Sequence, residues 1–365
     1  MKVKTKKNNN ITNKSKKINL INLIEFKIQA NDTNNLNTTD QESNLLKKKN
    51  KYRPTFSIDN NIVVSNTKML VEMMLVNNWI MKEFKPNRIT DWCNNTYYSK
   101  IKNKDHSRFN HWANKFQLFV ILKDQDFIPP TYPIYNGKWI LNEPKEDSLF
   151  FIKAPSGSRG KNIVIVKTKK DVIDISNNRS KLLVIQKGID CLLYEKKKFD
   201  IRIWASLITS NFIEFDLIFY NYGKIRLSTK EYNSDSLKID THLTNTYIHK
   251  NNENYKELFF DESFPDYENK FKCIKEVIKK TFEKSKDLFI NLKNHNNKLV
   301  WNLGFDFIFD KNNKCYLLEI NGLDVAAYNN KHVDDWYLFL VSNVYNSFAG
   351  GSKPNLNYPN VTIIN

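Results

Sequence analysis

The sequence predicts a mixed α/β (α+β) chain with small N-terminal, central and C-terminal subdomains behind a disordered basic arm. Three observations carry this. At 365 residues the chain exceeds one compact core, so two or three subdomains are expected. Stretches that alternate apolar and polar residues are interleaved with stretches of helical spacing, and neither kind dominates. The proline-rich break F-I-P-P-T-Y-P at 127–133 cannot be helical and closes the first group of elements. The arm is thus residues 1–51, the subdomains 52–133, 134–190 and 191–350, and the tail 351–365.

Composition narrows the partners. The formal net charge is +18 and the sequence pI is near 9.4. That favours an acidic partner: a nucleic acid, an acidic protein or nucleotide phosphates. Much of the excess sits in the arm, where residues 2–17 hold seven lysines and no acid. Such a polar tract cannot offset its ordering entropy, so the arm is expected to be disordered. Four cysteines stand far apart with no C-x-x-C pair, which argues against a disulfide frame or structural zinc and for a reducing compartment. The apolar piece 18–26 contains Glu25 and is too short to span a bilayer, and no later segment is long enough.

Order is expected from Tyr52. Residues 56–64 read as a strand. Residues 67–84 carry Leu70, Val71, Met74, Leu75 and Trp79 at helical spacing, and residues 110–123 form a second amphipathic helix with Trp112, Phe116 and Phe119. A strand ending in Lys153 is followed by a small-residue loop, Ser156-Gly157-Ser158-Arg159-Gly160-Lys161, and by a strand at 163–166. Gly and Ser let backbone N–H groups approach phosphate while Lys and Arg supply charge. The loop is not a Walker A motif: its spacing fails, Asn162 stands where Ser or Thr is required, and no helix follows. A plain basic hairpin loop is the alternative.

A buried strand at 182–186 leads into Lys187-Gly188-Ile189. In K-F-D-I-R-I-W at 198–204, alternation puts Lys198, Asp200 and Arg202 on one face and Phe199, Ile201 and Ile203 on the other. Three charges on a strand face are costly unless that face lines a site or is solvated at an edge. Residues 212–220 and 224–229 read as a hairpin turning at Asn221-Tyr222-Gly223 and carrying Arg226. Residues 241–245 form a polar loop with Thr244 and Asn245, 267–289 a long structural helix, and 334–348 a last helix before Gly350-Gly351.

Residues 299–322 read as two strands around a tight turn centred on Asn312 and Asn313. That register sets Ile308 opposite Leu317, Asp306 opposite Glu319 and Gly304 opposite Asn321, with the phenylalanines 305, 307 and 309 facing Ile320, Leu318 and Tyr316. Two carboxylates about 5 Å apart repel by roughly 3 kcal/mol at an effective dielectric near 20. A cation between Asp306 and Glu319, with Asn321 as a third oxygen ligand, relieves that cost and suits Mg²⁺. On spacing alone, a solvated hairpin face accounts for the pair equally well.

Seven motifs in order resemble the tubulin-tyrosine ligase-like family, which has an ATP-grasp fold. They are N-H-W-A-N-K at 110–115, F-I-P-P-T-Y at 127–132, F-I-K-A-P-S-G-S-R-G-K at 151–161, V-I-Q-K-G-I at 184–189, K-F-D-I-R-I-W at 198–204, H-L-T-N at 242–245 and G-F-D-F…L-L-E-I-N at 304–321. The resemblance implies that Lys153 and the loop residues Ser158, Arg159, Gly160 and Lys161 hold ATP phosphates. Gln186, Lys187 and Ile189 would border adenine, and Lys198, Asp200, Thr244 and Asn245 would contact nucleotide. Arg202 and Arg226, with Lys198, would act on the carboxylate or the transferring phosphoryl group, and Asp306, Glu319 and Asn321 would bind Mg²⁺. The implied reaction is ATP-dependent ligation of a free amino acid (Glu, Tyr or Gly) to a carboxylate of tubulin or another acidic-tailed protein. The implied setting is cytoplasmic and cytoskeletal, with no membrane partner and nucleic acid disfavoured; a non-catalytic tubulin-binding member of the family and a basic nucleic-acid-binding protein stand as the alternatives. Alanine at Asp306, Glu319 or Lys153 is expected to abolish ligation while the fold persists. Three positions depart from the family pattern: Asn162 for a usual glycine, Gly188 for a usual aromatic, and Gly322-Leu323-Asp324 where Thr-Ser-Pro is common.

Overall fold

The computed structural model describes most of residues 53–364; residues 1–52, 59–67, 94–99, 103–109, 211–213, 291–297 and 323–330 and positions 84, 87, 91, 158, 159, 161, 180, 250, 254 and 365 lie outside the described residues. The expected arm and most of the expected strand at 56–64 fall there.

Three sheets organise the rest. The first is small and parallel: β1 (Thr55–Ser57) runs between β2 (Ile80–Met81) and β3 (Trp92–Cys93), with helix α1 (Lys68–Val76) between β1 and β2 in the chain. The helix expected over 67–84 stops early because Asn78 adopts φ 61°, a left-handed turn that Asn tolerates. A short strand β4 (Ile101–Lys102) follows. The helix expected over 110–123 is two pieces, α2 (Asn110–Ala113) and α3 (Lys115–Leu122). The break is a helix start: the Asn114 side chain accepts from the backbone N–H of Phe116 and Gln117, both at 3.1 Å.

The second sheet is built from β5 (Thr131–Tyr135), β6 (Lys138–Trp139), β7 (Phe150–Lys153), β8 (Val164–Val166) and β9 (Leu183–Lys187), in the order β6-β5-β9-β7-β8. Helix α4 (Lys169–Arg179) packs Val172 onto Ile134, Phe150, Ile152 and Ile185.

The third sheet is the largest. Its path is β13 (Glu257–Phe260), β12 (Asp216–Glu231), β11 (Lys197–Thr209), β14 (Lys298–Phe309) and β15 (Cys315–Gly322), with β10 (Leu193–Tyr194) and β16 (Val361–Ile364) added at its margins. Short helices α5 (Ile239–His242) and α6 (Thr246–His249) lie between β12 and β13, and α7 (Tyr267–Ile290) precedes β14. One face of this sheet is a continuous core: Phe199, Ile201, Ile203, Phe305, Phe307 and Phe309 meet Ile274, Ile278 and Phe282 of α7. Trp112 anchors α2 there, stacked on Trp301 and donating to the Ser285 hydroxyl at 2.8 Å.

The opposite face changes character along its length. At one end it carries Lys198, Asp200, Arg202, Arg226 and Asp306; at the other, Trp204, Ile208, Ile218 and Val300 pack against α1 and the final helices. Those helices are α8 (Lys331–Phe339), a π-helical turn (Leu340–Tyr345) and α9 (Asn346–Ala349), one continuous run that starts before the expected 334.

Two expected turns are corrected. Asn221-Tyr222-Gly223 is no hairpin but a bulge inside the single strand β12: Trp204 alone spans the interval that Tyr220, Asn221 and Tyr222 span opposite it. Gly223 is required there, because a Cβ would lie 2.3 Å from the Arg202 carbonyl oxygen. The 299–322 hairpin does pair Gly304 with Asn321, Phe305 with Ile320 and Asp306 with Glu319, as the sequence predicts. Nearer the turn it is displaced by one residue, so that Phe307 faces Leu317 and Ile308 faces Tyr316. The loop holds three residues, with Asn313 at φ 62°, and a bulge at Leu318 restores the outer register. The segment expected as a tail supplies β16, which pairs with Leu217–Tyr220 of β12.

Candidate active site

The second and third sheets close on a cleft that is open to solvent. Lys153, Gly160, Gln186, Lys187 and Ile189 line it from one side, and Lys198, Asp200, Arg226, Asp306 and Glu319 from the other. Thr244 and Asn245 border it from the segment joining α5 to α6. Arg202 and Asn321 stand just behind, bound to Asp306. Ser158, Arg159 and Lys161 fall outside the described residues.

Asp306 is the hub. It is 2% exposed and receives Arg202 through both Nε and Nη2, the latter at 2.8 Å to Oδ2. The same Oδ2 takes Arg226 Nη2 at 2.9 Å and Asn321 Nδ2 at 3.2 Å. Arg226 Nε donates to Asp200 Oδ1 at 2.6 Å, and the Thr244 hydroxyl donates to Asp200 Oδ2. Both arginines therefore spend part of their forks on site carboxylates. Burial pushes the Asp306 carboxyl above its usual value against the pull of Arg202 and Arg226. Burial also opposes the Arg226 charge, but Asp200 and Asp306 outweigh it and hold that guanidinium above its ordinary value.

Glu319 forms the second pole. Its Oε2 lies 3.0 Å from Lys115 Nζ, and its Oε1 accepts from Asn321 Nδ2 at 3.3 Å. Burial alone would raise it, yet Lys115 and Lys153 draw its carboxyl far below the usual range. Lys153 donates to Gln186 Oε1 at 2.6 Å, and burial lowers its ammonium to about 8. Lys198, also lowered by burial, sits 4.8 Å from the Phe151 ring centroid. Cations outnumber carboxylates: Lys115, Lys153, Lys198, Arg202 and Arg226 face Asp200, Asp306 and Glu319. The excess suits a polyanionic ligand.

The side chains of Asp306, Glu319 and Asn321 lie together, with the Asn321 amide nitrogen donating to both carboxylates; turning that amide about its last bond would bring its oxygen in beside theirs. This all-oxygen set fits Mg²⁺. Among the described residues no group of three or more His, Cys, Asp or Glu gathers that could hold a metal ion, so the set here is two carboxylates and an amide.

Two departures from the family pattern have local causes. Asn162 takes φ 61°, so it fills a left-handed position usually given to glycine. Gly188 donates its N–H to the Leu149 carbonyl at 2.6 Å, with Leu149 atoms 3.1–3.2 Å from where a Cβ would stand. Lys115 is a cleft residue that sequence reasoning passed over. It closes N-H-W-A-N-K, reaches Glu319 and also donates to the Gly157 carbonyl at 2.9 Å. The signal was Asn114: an N-cap residue inside an otherwise helical run marks a break, and a residue after a break can turn towards a site.

Two sheets gripping one polar cleft, with carboxylates on one wall and a lysine at a strand end on the other, define an ATP-grasp-type domain. The model of the tubulin-tyrosine ligase family matches residues 84–349, and the chain belongs to that family. Among its relatives, tubulin glycylase 3C of Tetrahymena thermophila is 25% identical over 202 residues, covering 50% of this chain and 19% of that protein. A protein of Caenorhabditis elegans named a probable tubulin polyglutamylase is 26% identical over 268 residues, covering 62% and 64%. A human tubulin polyglutamylase is 26% identical over 241 residues, covering 56% and 25%. The chain thus spans less than two thirds of each of these relatives. No helix among the described residues is long and apolar enough to cross a membrane.

Proposed function

We propose that this protein is an ATP- and Mg²⁺-dependent carboxylate–amine ligase that adds an amino acid to an acidic protein tail, with tubulin as the acceptor. The observation that carries the reading is the convergence of Asp306, Glu319, Arg226, Lys115 and Lys153 on one cleft, with Arg202 and Asn321 bound to Asp306 behind it. The relatives named as glycylases and polyglutamylases favour glycine or glutamate over tyrosine as the amino acid added. They also favour a cytoskeletal setting.

In this reading the acceptor carboxylate oxygen attacks the terminal phosphoryl group of ATP, releasing ADP and leaving an acyl phosphate. The amine of the amino acid then displaces phosphate and forms the amide bond. Lys153, Lys115 and the 156–161 loop hold the phosphate chain, and Gln186, Lys187 and Ile189 border the base. Lys198, Thr244 and Asn245 fix the remaining nucleotide contacts. Arg202 and Arg226 steady the carboxylates and neutralise charge that develops during transfer. Asp306, Glu319 and Asn321 would hold Mg²⁺, which when bound offsets the charge on the transferred group.

The test is to incubate the pure protein with Mg·ATP, tubulin and one labelled amino acid at a time, and to read the tails by mass spectrometry. Transfer of glycine or glutamate supports the reading. Binding of both nucleotide and tubulin without transfer of any amino acid would make the chain a non-catalytic tubulin binder.

A pH experiment checks the phosphate role of Lys153. Its folded-state value of about 8 lies below the ordinary 10.5 of a lysine. The folded protein therefore releases this proton before the unfolded chain does, so the burial penalty is present below pH 8 and relieved as pH rises from about 8 towards 10.5. Nucleotide affinity should run the other way, falling by up to about tenfold per pH unit above the free-enzyme value as the ammonium is lost. Lys153→Arg, which stays charged, should flatten that decline. A wild-type titration with fluorescent nucleotide that stays level from pH 7 to 10 would remove Lys153 from the phosphate contacts.

A further inference from the structure

The first residue of α3 joins the two halves of the cleft. Lys115 Nζ donates to the Gly157 carbonyl at 2.9 Å, in the loop carried by the second sheet, and lies 3.0 Å from Glu319 Oε2 on β15 of the third. Its backbone is anchored to the same loop. The Lys115 N–H donates to the Pro155 carbonyl at 2.8 Å, and the Asn114 amide, besides capping α3, donates to the Ser156 hydroxyl at 3.2 Å. The start of α3 is thus bonded to three consecutive loop residues, 155–157. Lys153 also feels the Glu319 charge but donates to Gln186 Oε1 at 2.6 Å.

The Lys115 ammonium stands where a metal ion would compete with it. Glu319 Oε2 is turned to Lys115, and Oε1 takes the Asn321 amide. A Mg²⁺ ion held by this carboxylate would sit about 2.1 Å from one of these oxygens. Either oxygen leaves it close to the ammonium, and two cations on one carboxylate repel. An ammonium carries three rotatable N–H donors on a flexible stem, so it can turn from Glu319 to a phosphate oxygen without moving the helix. Lys115 lines the cleft and, with Leu118, Ile128 and Leu317, a small apolar recess beside it.

We propose that Lys115 is a stand-in cation for Glu319. It holds the carboxylate and the phosphate loop together before nucleotide binds, then yields Oε2 to Mg²⁺ and turns to the phosphate chain. The proposal rests on the ligase reading and deepens it by naming the residue that competes with the ion. The consequence is a linkage: Lys115 and Mg²⁺ screen the same carboxylate from the phosphates, so each contributes less where the other is present.

The full chain and its Lys115→Met and Lys115→Arg variants are titrated with a fluorescent, non-hydrolysable ATP analogue, once in EDTA and once in saturating Mg²⁺. Methionine keeps the apolar stem beside the recess, and Lys115→Gln replaces it should methionine prevent folding. The quantity read is the factor by which Mg²⁺ tightens binding. In Lys115→Met that factor should rise about tenfold or more, the worth of one charged hydrogen bond, chiefly because binding in EDTA weakens. Lys115→Arg keeps the charge and should return the factor close to wild type. An equal factor in wild type and Lys115→Met, with or without a lower melting temperature, would overturn the proposal and make Lys115 a structural tie between α3 and the loop. An equal rise in Lys115→Arg, or a wild type that binds the analogue only when Mg²⁺ is present, would overturn it too. None of these readings uses turnover. A wild type that binds the analogue but transfers no amino acid would therefore sink the ligase reading, while Lys115 is still judged by its Mg²⁺ factor.

Discussion

Asp306→Ala should cost the protein about 3–5 kcal/mol of stability as well as its ligation activity, because it removes the shared partner of two buried guanidiniums. Arg202 is bound to this carboxylate through two nitrogens, and Arg226 and Asn321 both reach its Oδ2. Without it, Arg226 keeps Asp200, but Arg202 loses both bonds of its fork to Asp306. From sequence alone, alanine here is expected to abolish ligation and leave the fold intact. Burial reverses that expectation. Urea denaturation of the variant beside wild type is the check, and an unchanged midpoint would mean that the arginines find other partners.

Glu319→Gln should separate function from folding. This carboxylate stands at the opposite pole, paired to Lys115 at 3.0 Å with its side chain 18% exposed, so losing its charge should cost roughly 1.5–3 kcal/mol, less than Asp306→Ala because glutamine keeps the volume and one polar oxygen. Its effect on ligation should be on the order of a hundredfold or more, the scale of removing one fixed electrostatic stabiliser from a reacting centre. The melting temperature of wild type should rise with added Mg²⁺ and nucleotide together, and that rise should shrink in Glu319→Gln. Near-wild-type turnover in this variant would take Glu319 out of the proposed Mg²⁺ site.

What could be read from the sequence follows from what period-two alternation encodes. Faces were legible: Lys198, Asp200 and Arg202 do share one side of β11, and Asp306 does stand opposite Glu319. Alternation fixes a face without fixing the count of residues in a turn, so the 299–322 hairpin was misread near its loop. The outer pairs came out right because the bulge at Leu318 cancels the extra loop residue. Asn-Tyr-Gly within 212–229 carries the same local signal whether the chain reverses or bulges. What decides is the close approach of Gly223 to the Arg202 carbonyl, a contact between strands that no local pattern records. Lys115 was missed for a related reason. It lies on a stretch without charge alternation of its own and becomes part of the charged site only through packing against a distant segment.

The bulge in β12 divides the outer edge of that strand between two covers. Gly223–Arg226 pair with β13, and Leu217–Tyr220 pair with β16. The second cover is made by residues 361–364, so during synthesis the backbone of Leu217–Tyr220 emerges long before its partner does. An uncovered run of Leu217, Ile218, Phe219 and Tyr220 is a template for pairing with a neighbouring nascent chain. The extra twist of the adjoining bulge makes that edge a poorer template while it waits. Removing residues 361–364 should therefore leave the catalytic end of the sheet intact while making the protein prone to aggregate, and light scattering during refolding would register that directly.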